Sequence, residues 1–180
     1  MHGERIVRLG LGDIGLGHVR AVDDDAESAA AAVRAKGRKA SLHACDLRDE
    51  GATAPLVSGA ESELGPVTLL VNCASVFEND SFSSMNRASW DAHLETNLRA
   101  PLILAQAFAR RLPEDREGLI VNILDQRVFA PTPDFFSYSL SKSALWAATQ
   151  MLAKALAPRI RVNGVGPGPT LPSIHQQGSD

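Results

Sequence analysis

Val67-Thr68-Leu69-Leu70-Val71-Asn72-Cys73-Ala74-Ser75 is the stretch that decides the fold. The run VTLLV has no apolar–polar alternation, the mark of a strand buried on both faces. It stops at an asparagine followed by small residues. Working outward, the pattern recurs. GLIVNIL at 118–124 ends at Asp125, and IRVNGV at 160–165 runs into Gly166-Pro167-Gly168-Pro169. A shorter strand is expected at 39–45, ending at Asp46. Helical stretches lie between. One is expected over 53–64, with Pro55 tolerated in its first turn and Gly65-Pro66 closing it. Ser89 is expected to cap a second, running to about residue 112 before Pro113. A third spans 138–156, with Pro158 just beyond. Strands alternating with helices predict a doubly wound parallel α/β sheet, Rossmann-like and three-layered, as one domain over 1–180.

Composition narrows the function. The chain has 180 residues, 44% hydrophobic and 22% charged, with a formal net charge of -3. That supplies no basic footprint for nucleic acid and no polybasic patch for a membrane. No run approaches the roughly eighteen apolar residues of a membrane span. Glu4, Arg5, Arg8 and Asp13 interrupt the apolar middle a secretion signal needs. Cys45 and Cys73 make no disulfide framework, so a reduced, cytoplasmic protein is expected. The five histidines show no ligand-spaced pair, and no metal site is expected.

Gly10-Leu11-Gly12-Asp13-Ile14-Gly15 fits the dinucleotide fingerprint G-x-G-x-x-G letter for letter. The fingerprint needs a helix after it, yet a strand candidate begins at His18. A parallel crossover takes about a dozen residues, so this match is set aside. A glycine-scarred helix near 5–16 leading into a strand at 18–22 is expected instead.

Chemistry concentrates at Tyr138-Ser139-Leu140-Ser141-Lys142. Tyrosine and lysine four residues apart share one helical face. A nearby ammonium favours phenolate and should lower the tyrosine pKa towards neutrality. Such a pair also occurs on ordinary helix surfaces. Here three strand ends, at Asn72–Ser75, Asp125 and Pro167-Gly168, should line one crevice with it, because ligands gather outside the carboxyl ends of parallel strands. Pro101 cannot donate to the carbonyl of Asn97, which predicts a kink and a carbonyl free to hold water.

Taken in order, Asn72-Cys-Ala-Ser75, Asn97, Tyr138-x-x-x-Lys142 and Arg161-Val-Asn-Gly-Val-Gly-Pro-Gly168 resemble the short-chain dehydrogenase/reductase family over roughly residues 3–172. Within it the chain looks most like pteridine reductases and their bacterial dihydropteridine-reducing relatives. Asp125 stands where most of the family has serine, as in that branch; its other reading is a loop partner for Arg127. Phe77 looks like the branch's pterin-stacking aromatic, with core packing as the other reading. The resemblance implies an NADPH-dependent reductase of a pteridine-like or small carbonyl or imine substrate, with NADH possible. It makes Tyr138 the proton donor, Lys142 its tuner and ribose holder, Asn97 the water anchor and Asp125 the donor's partner. It places Arg5 at the cofactor phosphate and Asp46 and Leu47 near the adenine. Asn72, Ala74 and Ser75 then flank the cofactor, and Pro167, Gly168 and Thr170 sit by the nicotinamide.

The chain also departs from the family. By the same alignment the first strand and most of the glycine loop precede Met1, and the chain stops soon after Thr170. The fold is therefore expected to be incomplete at both ends, and a catalytically silent scaffold is the competing function. Asp23, Asp24 and Asp25 either cap a helix or hold an NAD ribose. Finally, Leu145, Ala148, Leu152 and Leu156, with Ala144, Met151 and Ala155, form one apolar helix face. Leu94, Leu98, Leu102, Ala105 and Phe108 form another. Together they predict a four-helix interface in a homodimer or homotetramer.

Overall fold

The computed structural model describes residues 24–168, with side chains from Ala26 onward. The expected helix at 5–16, the strand at 18–22, the Gly10–Gly15 motif, Arg5 and Thr170 lie outside them. Helix α1 (Asp24–Ala35) begins within the aspartate run. Helices α2 (Glu50–Thr53) and α3 (Leu56–Leu64) follow, then strand β1 (Leu69–Asn72). A long helical stretch comprises α4 (Arg87–Leu94), a π segment (Glu95–Arg99) and α5 (Ala100–Arg111). Strand β2 (Gly118–Ile123), helix α6 (Phe136–Leu156) and strand β3 (Ile160–Val165) complete the order. The sheet is parallel, β1-β2-β3, with Asn72 opposite Asn122 and Asn122 opposite Gly164.

Several expectations shift for local reasons. The helix expected at 53–64 is two helices. Asp49 caps the first through Gly51 and Ala52, and Pro55 stands before the second rather than inside its first turn. Gly65 closes α3 at φ 84, backbone that only glycine adopts cheaply. The cap of α4 is Asn86, not Ser89. Ser89 is the third helical residue and returns its hydroxyl to the Asn86 backbone as a capping box. Residues 39–45 form no ladder, because a strand exists through its partner and none faces them among the described residues. Around Asn97, where Pro101 predicts a kink, the helix takes a π turn just before the proline.

Burial in the strands alternates rather than running unbroken. Leu70, Asn72, Ile120, Asn122, Ile160 and Val162 are buried, while Leu69, Val71, Leu119 and Val121 are half-buried. The buried face meets Leu56, Val57, Ala60, Leu104, Ala105 and Phe108, so the core lies between the sheet and the layer of α3 and α5. This also corrects the expected interface. Ala105, Phe108 and Leu145 are each 1% exposed and belong to the interior, whereas Leu140, Ala147, Met151 and Ala155 form the outward stripe of α6.

Candidate active site

Strand direction builds the site. In a parallel sheet every carboxyl end points the same way, so the segments leaving β1 and β2 meet the first turns of α6. Two asparagines at matching register start the construction. Asn72 Nδ2 donates to Asn122 Oδ1 at 2.8 Å, and Asn122 Nδ2 donates to Thr149 Oγ1 at 2.9 Å. Thr149 donates in turn to the Leu145 carbonyl at 2.7 Å. The strand ends are thereby tied to the middle of α6 by a buried, satisfied polar chain.

Asn97 is fully buried in the π segment. Its Oδ1 accepts from Val76 N at 2.7 Å, and its Nδ2 donates to Val76 O at 2.9 Å and Ser141 Oγ at 3.0 Å. Ser141 Oγ donates to the Tyr138 carbonyl at 2.7 Å. The side chain of Asn97 thus sews the segment after β1 to the first turn of α6. The sequence pointed to its backbone carbonyl; it is the side chain that makes these contacts.

The Tyr138 hydroxyl donates to Asp125 Oδ2 at 2.8 Å. The same oxygen accepts from Arg127 Nη1 at 3.2 Å, and Asp125 Oδ1 accepts from Arg127 N at 2.8 Å. Asp125 thus partners Arg127 and at the same time faces the phenol. Lys142 is 2% exposed and its Nζ donates to the Ile123 carbonyl at 2.8 Å. An ammonium has three N–H groups, so with that one bond made among the described residues two remain to offer a ligand.

The electrostatics reverse the expectation drawn from Y-x-x-x-K. Tyr138 is pushed well above its usual value, first by burial and then by the Asp125 carboxylate it donates to, with Arg127 opposing. Burial pulls Lys142 down to about 8, against the pull of Asp125 and Cys73. The lysine does not govern the tyrosine, because the phenol's immediate partner is an anion. The phenol therefore keeps its proton at neutral pH, with the Asp125 carboxylate as its acceptor.

Aromatic rings cover one side. Phe77, 43% exposed, stacks on Phe135 with centroids 4.4 Å apart and meets the Tyr138 ring edge-on at 4.6 Å. The Arg127 guanidinium lies 5.5 Å from the Phe77 centroid and 5.2 Å from that of Phe135. Phe77 is therefore not a core residue. Cys73, Pro167 and Gly168 are exposed along the same strand ends, and Ala74 and Ser75 are half-buried. Asp46 is gripped by Arg48, Nη2 to Oδ2 at 2.6 Å. The Leu47 side chain is 7% exposed and packs in the core, which leaves its backbone to meet a ligand.

Sequence reasoning missed Asn122, Thr149, Phe135, Asp80 and His93. An asparagine inside the apolar run GLIVNIL was the one available signal. A buried amide in a strand needs a partner, and Asn72 occupies the matching register.

A family model described as short chain dehydrogenase matches residues 12–180. Among curated relatives, the uncharacterized oxidoreductase YjdA of Bacillus subtilis is 34% identical over 69% of this chain and 51% of its own length. The 2,3-dihydro-2,3-dihydroxybenzoate dehydrogenase of Bacillus subtilis is 29% identical over 85% of this chain and 60% of its own. The chain thus spans between half and three fifths of these relatives. Among solved structures, the FolM alternative dihydrofolate reductase 1 of Brucella suis in complex with NADP is 50% identical. It superposes with a TM-score of 0.79 over 85% of this chain and 63% of that one. A short chain dehydrogenase of Burkholderia cenocepacia in complex with NADP is 34% identical, with a TM-score of 0.76 over 82% and 60%.

Proposed function

The chain belongs to the short chain dehydrogenase family, and on that premise we propose that it is an NADPH-dependent reductase of a pteridine-like substrate. The observation that carries this reading is the Tyr138 hydroxyl on Asp125 Oδ2 beside an exposed, flat aromatic, Phe77. A planar heteroaromatic ring suits that face, and a simple carbonyl needs neither the ring nor the carboxylate. The similarity to a dihydrofolate reductase solved with NADP supports it.

The donor set fits the nicotinamide half of the cofactor. Lys142 has two N–H groups to offer ribose hydroxyls at the carboxyl end of the sheet. When bound, NADPH supplies the hydride to the substrate's C=N or C=O carbon. Tyr138 gives its phenolic proton to the substrate nitrogen or oxygen as that atom gains the electron pair. Lys142, with a pKa of about 8, exchanges protons near neutral pH and returns one to the phenolate. Asn97 fixes the helix turn on which both stand, and Asp125 aims the phenol. Asn72, Ala74, Ser75, Pro167 and Gly168, at or just past the neighbouring strand ends, would flank the cofactor.

Self-association belongs to the same proposal. Leu140, Ala147, Met151 (70% exposed) and Ala155 run along the outside of α6. A two-fold axis would set this stripe against its copy. Light scattering should give at least twice 19.2 kDa; a monomer at micromolar concentration would remove this part of the reading.

The substrate assignment is tested by Asp125→Ser. We expect kcat/KM for dihydrobiopterin to fall about 10²-fold while turnover of a simple diketone survives. Equal losses on both substrates would return the chain to a general reductase.

A further inference from the structure

Helix α6 carries Tyr138 in its first turn, yet it has no cap of its own. Phe135, the residue before it, sits in left-handed backbone at φ 54 and makes no side-chain cap. The first N–H groups of a helix have no partner within it and must find one elsewhere. Here they find it in the segment that leaves β1. Phe135 N donates to Asn79 Oδ1 at 3.1 Å, Phe136 N to the Asp80 carbonyl at 3.1 Å and Ser137 N to Asp80 Oδ1 at 2.9 Å. Three successive amides are satisfied by two residues more than fifty positions away.

The other carboxylate oxygen of Asp80 faces α4. Asp80 Oδ2 accepts from Ser89 Oγ at 3.0 Å, and Ser89 belongs to the capping box of that helix. One side chain, in a residue 7% exposed, therefore joins the N-termini of two helices. Its neighbours are fixed too. Glu78 N donates to Nε2 of the fully buried His93 at 3.2 Å, and His93 Nδ1 is 2.8 Å from the Ser89 carbonyl. With Nε2 accepting from Glu78 N, Nδ1 is the atom left to meet that carbonyl, and the two contacts fix the ring's orientation. Phe77 lies flat on Phe135 at the start of the same seam. A carboxylate is the residue type favoured where helix N-termini converge.

We propose that Asp80 is a positioning residue for the reaction: it stands in for the missing cap of α6 and so holds the Tyr138 phenol on Asp125. This rests on the assignment of Tyr138 as proton donor, but its test does not need turnover. Tyr138 is the only tyrosine in the chain, so tyrosinate absorbance reads this one phenol. In the unaltered chain Tyr138 should stay protonated until alkaline unfolding. In Asp80→Ala the loosened first turn should let Tyr138 titrate closer to the ordinary value of about 10. Asp80→Asn keeps an acceptor for Ser137 N and should titrate as the unaltered chain does. Ser89→Ala is a milder variant should Asp80→Ala not fold, and it should shift the titration part of the way. In an active preparation, kcat for dihydrobiopterin should fall about ten- to hundredfold in Asp80→Ala. KM for NADPH should hold, and Asp80→Asn should restore the rate. A folded Asp80→Ala chain that loses melting temperature but keeps both the tyrosine titration and kcat would overturn the proposal, as would an unmoved titration in a folded Ser89→Ala chain. A shifted titration in a chain that never turns over would uphold the positioning role and sink the reductase reading instead.

Discussion

The two ends of β2 differ as much as any two regions of this molecule. At its start, Gly118 lies under Phe108 and Leu112, where an added Cβ would sit 2.9 Å from the Phe108 ring. Ile120 is 0% exposed, and the side chains around it are apolar. Four residues past Gly118, Asn122 bonds Asn72 and Thr149; beyond it the Ile123 carbonyl takes Lys142, and Asp125 takes Tyr138 and Arg127. The lower end tolerates no added volume because it is close-packed. The upper end is instead a set of paired buried polar groups, where a substitution removes a partner rather than opening a void. On the proposed function, stability belongs mainly to the first region and chemistry to the second, which rests on it.

That division can be broken by paired substitutions. Phe108→Ala should cost about 3–5 kcal/mol in urea unfolding, while the folded fraction keeps its kcat. A cost below about 1 kcal/mol would show that the lower end is not the stabilising core. Lys142→Met should do the reverse. Burial holds the folded-state pKa of Lys142 at about 8, below its ordinary value of 10.5. Between those values the unfolded chain binds more protons, so this group's contribution rises with pH and its cost is fully present below about 8. Removing the ammonium should leave neutral-pH stability unchanged or improved, the lost bond to Ile123 offsetting part of the gain, and should flatten the alkaline rise in stability. The same substitution should abolish turnover. In the unaltered chain kcat/KM should decline above pH about 8 as the lysine loses its proton. A large loss of stability in Lys142→Met would mean that the upper end also holds the fold together.

The same contrast explains how much is legible in the residues alone. Apolar runs name strands, so the expected bounds of β2 and β3 agree with the observed ones to within a residue and those of β1 to within two. Capping chemistry is less specific: Ser89 and Asn86 are both good cap residues, and only the backbone shows which one stands at the boundary. Tyr138, Lys142 and Asp125 are legible as a set because each closes a recognisable piece of sequence. Their electrostatics are not, because a pair four residues apart says nothing of a carboxylate thirteen residues earlier that folds back onto the phenol. Asp80 is silent for a related reason. Its partners Ser137 and Ser89 are common residues at no fixed spacing, joined only by the fold.

The central claim is that the upper end of β2 and the first turn of α6 form a proton-donating site. Its most direct test is the NADPH-dependent reduction of dihydrobiopterin by the unaltered chain and by Tyr138→Phe. We expect turnover in the first and a loss of about 10³-fold or more in the second, with NADPH affinity by calorimetry the same in both. Turnover by Tyr138→Phe at the unaltered rate would contradict the account, because the proton would then have to come from a group other than this phenol.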